Sequence, residues 1–294
     1  MEFRQIQYFL SLYEEGSMTK AASRLNVVQP ALSIQLAKLE KEIGQKLFTR
    51  NTRGLEPTPA GRQMYTLFRP VMSDFSRARD WISQTQGELT GHLSIGLIAS
   101  VAEGLLAPAL GAFCAAHPRI SLSLSDGYTP ALCKAVTEGT LDAAIINKPR
   151  RRLALTIHPL LSESFVLAVG KKHPPLPKQV PLRRAIELKL VLPTRLHGLR
   201  DILDSFAEAE GMDLAPAIEV DSIQAIMQLV EHGDYATLLP GIAVRRGVKS
   251  GALIAHKITD PSLTWQVVCV THPRRQIGPA VSAFIEVLKQ QAGK

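Results

Sequence analysis

The chain has 294 residues and a mass of 32.1 kDa, more than a comfortable single small domain, so two or three domains are expected. With 46% hydrophobic and 20% charged residues it carries material for a substantial core, which excludes disorder as its dominant state. The net charge of +8 favours anionic partners, but the excess is spread, with 12 basic against 9 acidic residues up to Leu89 and 22 against 17 beyond it. Charge by itself therefore does not separate nucleic acid from acidic metabolites.

The opening MEFRQIQYFLSLYEEGS places Glu2, Glu14 and Glu15 inside an amphipathic pattern, unlike the basic flank and unbroken apolar core of a secretory signal. No later segment approaches the roughly 20 charge-free apolar residues of a membrane helix, so a cytoplasmic protein with no membrane partner is expected. Phe3, Ile6, Phe9, Leu10 and Tyr13 recur at helical spacing, Gly16 ends that helix, and Ser17 is placed to cap a second. Ala21, Ala22 and Leu25 give the second helix a small apolar stripe, and the chain turns through Asn26, Val27 and Val28. Pro30 suits the first turn of a third helix, whose inward stripe is Ala31, Leu32, Leu36, Leu39 and Ile43. Gln29, Ser33, Ile34, Gln35 and Lys38 remain outside, the layout of a helix-turn-helix that presents its second helix to a DNA major groove.

After Gly44, the phrase TRNTRGLEPTPAG sets Arg50 and Arg53 around a turn at Gly54, while Pro57 and Pro59 forbid a continuing helix. It reads as a small basic wing able to reach phosphates or the minor groove, although in isolation a solvated charged loop reads the same way. From Ala60 a long helix keeps Met64, Leu67, Phe68, Val71, Phe75, Ala78 and Ile82 on one face, with Pro70 as a local worry. A small head cannot cover all of that stripe, so the surplus predicts self-association.

Beyond Leu89 short apolar runs alternate with helical segments. Residues 92–100, 120–127 and the run LDAAII read as strands, with helices around 105–117 and in LCKAVTEG between them. Residues 164–174 begin a second such lobe containing KLVLP, a helix at 199–211, AIEV, a helix at 222–232 and YATLLP. Residues 263–273 and a helix at 281–291 return to complete the first lobe. The overall expectation is an α+β protein: a winged helix-turn-helix (1–59), a linker helix (60–88), and a two-lobed α/β effector domain (89–294). Its first lobe takes about 89–163 and 268–294, its second about 164–267, and each sheet is mostly parallel.

In such a domain ligands lie at the carboxyl ends of the strands. Ser100, with helical N–H groups from Val101 onward, and Thr129 would face an anion there, although a helix cap accounts for either residue nearly as well. Asn147 is a third strand-end candidate. In the second lobe LPTRLHGLR offers Thr194, Arg195 and His197, and the guanidinium could grip a carboxylate, with a solvent-facing loop arginine and a rim histidine as the plainer readings. Asp234 in GDYATLLP could alter cleft closure or discourage an acidic group nearby. Cys114, Cys133 and Cys269 are widely spaced, with no metal-ligand pattern, and read as buried apolar thiols, with redox sensing as the lesser alternative; no cofactor or metal is expected. No GxSxG, HExxH, P-loop or GxGxxG occurs, and no catalytic set assembles by spacing, so the chain does not read as an enzyme.

The run FRQIQYFLSLYEEGSMTKAASRLNVVQPALSIQLAKLEKEIGQKLFTRNTRGLEPTPAG, followed by IG…AS, LDAAI and LVEHGDYATLLP in that order, closely resembles the LysR-type transcriptional regulators. The resemblance implies DNA contacts from Gln29, Pro30, Ala31, Ser33, Ile34 and Gln35 and from wing residues Arg50 and Arg53. Position 34 is often polar or basic in relatives, so Ile34 meets a thymine methyl or is buried. It also implies an effector domain like the periplasmic binding proteins, with inducer between the lobes, and dimers or tetramers on near-palindromic promoter DNA that recruit RNA polymerase when they activate. The stretch from LVLPTRLHGLRDILDSF to IEVDSIQAIMQLVEHGDYATLLP looks most like the nitrogen-assimilation control branch, and a small organic or aromatic acid is the expected effector. The rival, a periplasmic-type binding protein without regulatory activity, conflicts with the intact head.

Overall fold

The structure is a computed structural model that describes residues 1–51, 54–83 and 88–293, with backbone alone at Arg50, Asn51, Gly54, Asp80, Trp81 and Ser83. The chain forms two compact units, one of Met1–Ile82 with the short stretch Glu138–Thr140 and one of the remaining residues.

In the first unit α1 (Phe3–Glu15), α2 (Met18–Arg24) and α3 (Gln29–Ile43) precede a hairpin of β1 (Phe48–Asn51) and β2 (Gly54–Pro57), and then α4 (Pro59–Ser83). Phe9, Leu12, Ala21, Leu32 and Leu39 are fully enclosed where the first three helices meet. Gly16 and Gly44 end α1 and α3 in the left-handed region, at φ of 60° and 73°. Ser17 Oγ accepts the Lys20 N–H and caps α2. The buried Glu40 carboxylate accepts the N–H groups of Leu47 and Phe48 at 2.8 and 3.4 Å and so fixes the entry to the hairpin. Gly61 lets α4 press onto that segment: a Cβ there would stand 2.2 Å from the Leu47 carbonyl oxygen.

Two expectations change here. Ile43, placed in the inward stripe, lies on the last turn of α3, beyond the reach of the core, and is 38% exposed. Helix α4 continues through Pro70 to Ser83. Its inner face contributes Met64, Phe68 and Met72 to the head's core. Leu67, Val71, Phe75 and Ile82 stand between 46% and 75% exposed, and the Phe75 ring lies 4.6 Å from that of Phe3.

The second unit opens with β3 (Gly91–Leu97), α5 (Ala99–Val101), a π-helical segment (Ala102–Leu106), α6 (Ala107–Ala116), β4 (Ile120–Asp126), α7 (Thr129–Thr137), β5 (Ala143–Asn147) and the long β6 (Thr156–Gly170). There follow β7 (Gln179–Pro181), α8 (Leu182–Ile186), β8 (Val191–Leu192), α9 (Gly198–Ala209), β9 (Ile218–Glu219) and α10 (Ile223–His232). The last elements are β10 (Ala236–Pro240), α11 (Gly241–Lys249), β11 (Leu253–Thr259), β12 (Thr264–Thr271) and α12 (Pro279–Ala292).

Strand β6 belongs to both lobes. Its first part, Thr156–Ser164, pairs with β12, and its second, Phe165–Gly170, pairs with β10 and β11. The first-lobe sheet runs β4-β3-β5-β12-β6, with β3 parallel to β4 and β5 but β12 antiparallel to both β5 and β6. The sheets are thus mixed instead of mostly parallel, because the strand that leaves a lobe and the one that returns must run in opposite senses. β12 pairs with first-lobe strands from Thr264 onward. The lobes also meet where the π-helical segment passes α11, so closely that a Cβ on Gly104 would lie 2.3 Å from the Ile242 carbonyl oxygen. Arg245 on α11 donates to the carbonyl oxygens of Gln291 and Ala292 at the end of α12, each at 3.1 Å.

The helical run Ala99–Ala116 is, by length and apolar composition, long enough to cross a membrane, against the expectation that no segment would be. In the fold Val101, Leu105, Ala109 and Phe113, four residues apart, are buried in the first-lobe core. The elements β7, α8, α11 and β11 were not anticipated from the sequence.

Candidate functional site

Two sites emerge, one in each unit. In the head, the outward face of α3 carries Gln29, Pro30, Ser33, Ile34 and Lys38 exposed, with Ala31 and Gln35 half-covered. Leu32, Leu36 and Leu39 on the opposite face anchor the helix in the core, so its front turns present a fixed pattern of amide, hydroxyl and methyl groups. Ile34 is 56% exposed, which decides against a buried role for it. Gln35 accepts a 3.4 Å hydrogen bond from Gln5 Nε2, which orients its amide. Arg50 sits on β1 opposite Leu55; its side chain, and all of Arg53, lie outside the described residues.

In the second unit the first-lobe candidates gather because three strands run in parallel and in register. Leu97 of β3 stands beside Asp126 of β4 and Ile145 of β5, so Ser100, Thr129 and Asn147 all follow the carboxyl ends of adjacent strands, with Ser100 in the middle. Ser100 is completely buried, and among the described residues neither its Oγ nor the buried Oγ1 of Thr129 has a hydrogen-bond partner. Native structures rarely leave such groups unpaired. Asn147 Oδ1 accepts from the buried Trp265 indole N–H at 2.6 Å, which leaves its amide nitrogen facing Gly198. A Cβ at Gly198 would lie 2.6 Å from Asn147 Nδ2 and 3.9 Å from Thr129 Oγ1, so the glycine brings the start of α9 against first-lobe residues.

The second-lobe side centres on Asp221, after β9. Its carboxylate accepts the Thr194 hydroxyl at one oxygen and the Tyr128 hydroxyl, at 2.7 Å, at the other. Tyr128 belongs to the first lobe, so this pair joins the two lobes. The hydrogen bonds from Thr194 and then Tyr128 hold the Asp221 carboxyl below the usual range, and the same bond raises the Tyr128 phenol. His197 is 5% exposed, not a rim residue; its Nδ1 accepts the Leu199 N–H as the cap of α9, and its ring meets Tyr128 edge-on at 6.1 Å. Burial depresses its pKa, with the charge of Asp221 opposing.

Three expectations are corrected. The Arg195 side chain is 73% exposed, with Nε 3.8 Å from Asp204, because it projects from a loop. The guanidinium that the lobe encloses is Arg200, donating to Asp204, Glu219 and the carbonyls of Pro193 and Leu214. Val101 is a core residue whose N–H is taken by the Ile98 carbonyl at 3.0 Å. Asp234 pairs with Lys189 at the surface. Tyr128, Asp221 and Gly198 were missed; Tyr128 adjoins Thr129, but nothing local signals its partner 93 residues away.

Residues 3–62 match the bacterial regulatory helix-turn-helix protein, lysR family, and residues 86–293 match the LysR substrate binding domain. The chain belongs to the LysR family. It is 29% identical over 98% of its length to the nitrogen assimilation regulatory protein of Klebsiella aerogenes, covering 94% of that protein. It is also 29% identical to a hydrogen peroxide-inducible genes activator of Escherichia coli, over 95% of this chain and 88% of that one. Among solved structures, a full-length OxyR variant from Pseudomonas aeruginosa superposes with a TM-score of 0.76 at 24% identity, over 99% of this chain and 94% of the other. As a LysR family member the protein is a DNA-binding transcriptional regulator with a separate effector-binding domain, and it is not an enzyme.

Proposed function

We propose that this regulator binds a near-palindromic promoter site as a dimer or a dimer of dimers, and that a small organic acid in the interlobe cleft sets the geometry of that complex. DNA is read by Gln29, Pro30, Ala31, Ser33, Ile34, Gln35 and Lys38 from α3, with Arg50 and Arg53 on the wing. The exposed row Leu67, Val71 and Phe75, continued by Phe3, supports pairing through α4. Recruitment of RNA polymerase follows at promoters where the protein activates.

The observation that carries the effector reading is the buried Ser100 hydroxyl without a partner, at the carboxyl end of a parallel strand and between Thr129 and Asn147. Those three residues, with Thr194 and His197, form the two walls; Arg195 stands at the exposed edge. The effector changes DNA geometry only through its differential affinity for the open and closed lobes. Of the three thiols Cys114 is exposed, against the burial expected for all three, whereas burial pushes the Cys269 thiol up to about 12 and raises Cys133 too, against the thiolate that an oxidant response would use at those two positions.

The test is a footprint on the DNA beside the protein's own gene, titrated in salt and repeated with a panel of organic acids. Protection over paired half-sites, with a steep salt slope and a shift on adding acid, is expected. Protection that no acid alters would remove the effector from this reading.

A further inference from the structure

Asp221 is a carboxylate that pairs with no lysine or arginine among the described residues. Its oxygens accept from Thr194 and Tyr128, both neutral hydroxyls. His197, whose positive charge would favour the Asp221 carboxylate, is driven toward its neutral form by burial. Arg200, the guanidinium buried in this lobe, is already engaged by Asp204 and Glu219. A carboxylate has about four lone-pair sites, and the two hydroxyls occupy two of them. The opposite wall is of another kind: Ser100 and Thr129 offer unpartnered hydroxyls, and neither carries charge.

We infer that Asp221 selects the class of effector, admitting a small molecule with an ammonium group for Asp221 and an acceptor end for the Ser100 and Thr129 hydroxyls, an amino acid in preference to the acid without the amine. This rests on the effector reading of the cleft and narrows it. An ammonium can add to the free lone pairs of Asp221 while Tyr128 still donates to it, so the ligand reinforces the contact that spans the lobes. A second carboxylate would face Asp221 with no lysine or arginine between them, and like charges repel. A neutral acceptor such as asparagine could also have taken both hydroxyls, so the charge itself is unexplained by the interlobe bond alone.

The test uses the full-length protein and calorimetric titration with the common amino acids, each beside the 2-oxo acid of the same skeleton where one exists, together with succinate and benzoate. At least one amino acid is expected to bind tenfold or more tightly than its 2-oxo partner. Asp221→Asn should shrink that ratio to about twofold, while Ser100→Ala weakens both members of the pair alike. Acids that bind the parent protein with no preference for the amine, or a preference that survives Asp221→Asn, would overturn the inference and leave the effector reading standing. Absence of binding by every probe, in protein that still protects its operator, would overturn both.

Discussion

Ser100→Ala should stabilise the protein and deafen it. The Ser100 hydroxyl is completely buried and has no hydrogen-bond partner among the described residues. A buried polar group left unpaired costs about 1–3 kcal/mol, and alanine removes it without leaving a cavity of any size, in a helical turn where alanine is also the better former. For a domain of this size each kcal/mol moves the midpoint by roughly 2–4 °C, so the effector unit of the variant should melt a few degrees higher in the absence of ligand. If the effector's acid group receives that hydroxyl, the lost charge-assisted bond is worth about 1.5–3 kcal/mol, or roughly 10- to 150-fold in the effector concentration needed for half response. DNA affinity without effector should be unchanged. Calorimetric melts and footprints of the two proteins, side by side, measure both quantities. A variant that melts lower by a degree or more would show that the hydroxyl is structural, and an unaltered response at higher stability would show that it never touches the effector.

Arg200→Ala should cost about 3 kcal/mol, the lower end for breaking a buried ion pair because Glu219 is partly solvated, and urea titration of the effector unit should show the loss while the head stays folded. His197 titrates below its ordinary value of 6.5 in the folded protein, so the unfolded chain binds more protons and stability falls as the pH drops below about 6.5, ceasing to fall once the folded group also protonates. His197→Gln should flatten that part of the urea-midpoint profile, by at most about 1.4 kcal/mol per pH unit; a profile identical to the parent's would mean that the ring is not buried in solution. Leu67→Asp with Val71→Asp should yield monomers in sedimentation and footprints reduced to a half-site, and a dimer persisting at micromolar concentration would refute pairing through α4.

How much of this was legible in the sequence depended on how local the physics was. The helix-turn-helix could be read because Ala21, Ala22, Leu32, Leu36 and Leu39 announce their burial by spacing alone. Ser100, Thr129 and Asn147 could be picked out because each follows an apolar run, and the parallel register then brings the three strand ends together. Arginine identity misled at 195, yet the helical period separates the two candidates: Leu199, Leu203 and Ala207 mark the inner face of α9, and Arg200 falls beside it. The bond between Tyr128 and Asp221 had no local trace, since it exists only once two lobes are folded against one another. Strand β11 was overlooked because its alternation is broken at Ile254 and Ala255, both exposed, and α11 because its basic residues mask a buried turn at Ile242, Ala243 and Val244.

The shared strand has a consequence for biosynthesis. The first lobe needs β12 to join β5 to β6, and β12 leaves the ribosome more than a hundred residues after β6 begins at Thr156. At about 5–20 residues per second that is a wait of roughly 5 to 20 s, during which the second lobe can close on itself while the first stays open at its centre. The helices and hairpin of the head all lie within residues 1–83 and leave the ribosome before either. Nascent or truncated chains would therefore grip DNA before they can sense anything, and the speed of translation from Thr156 to Thr271 sets how long each new molecule spends in that deaf state.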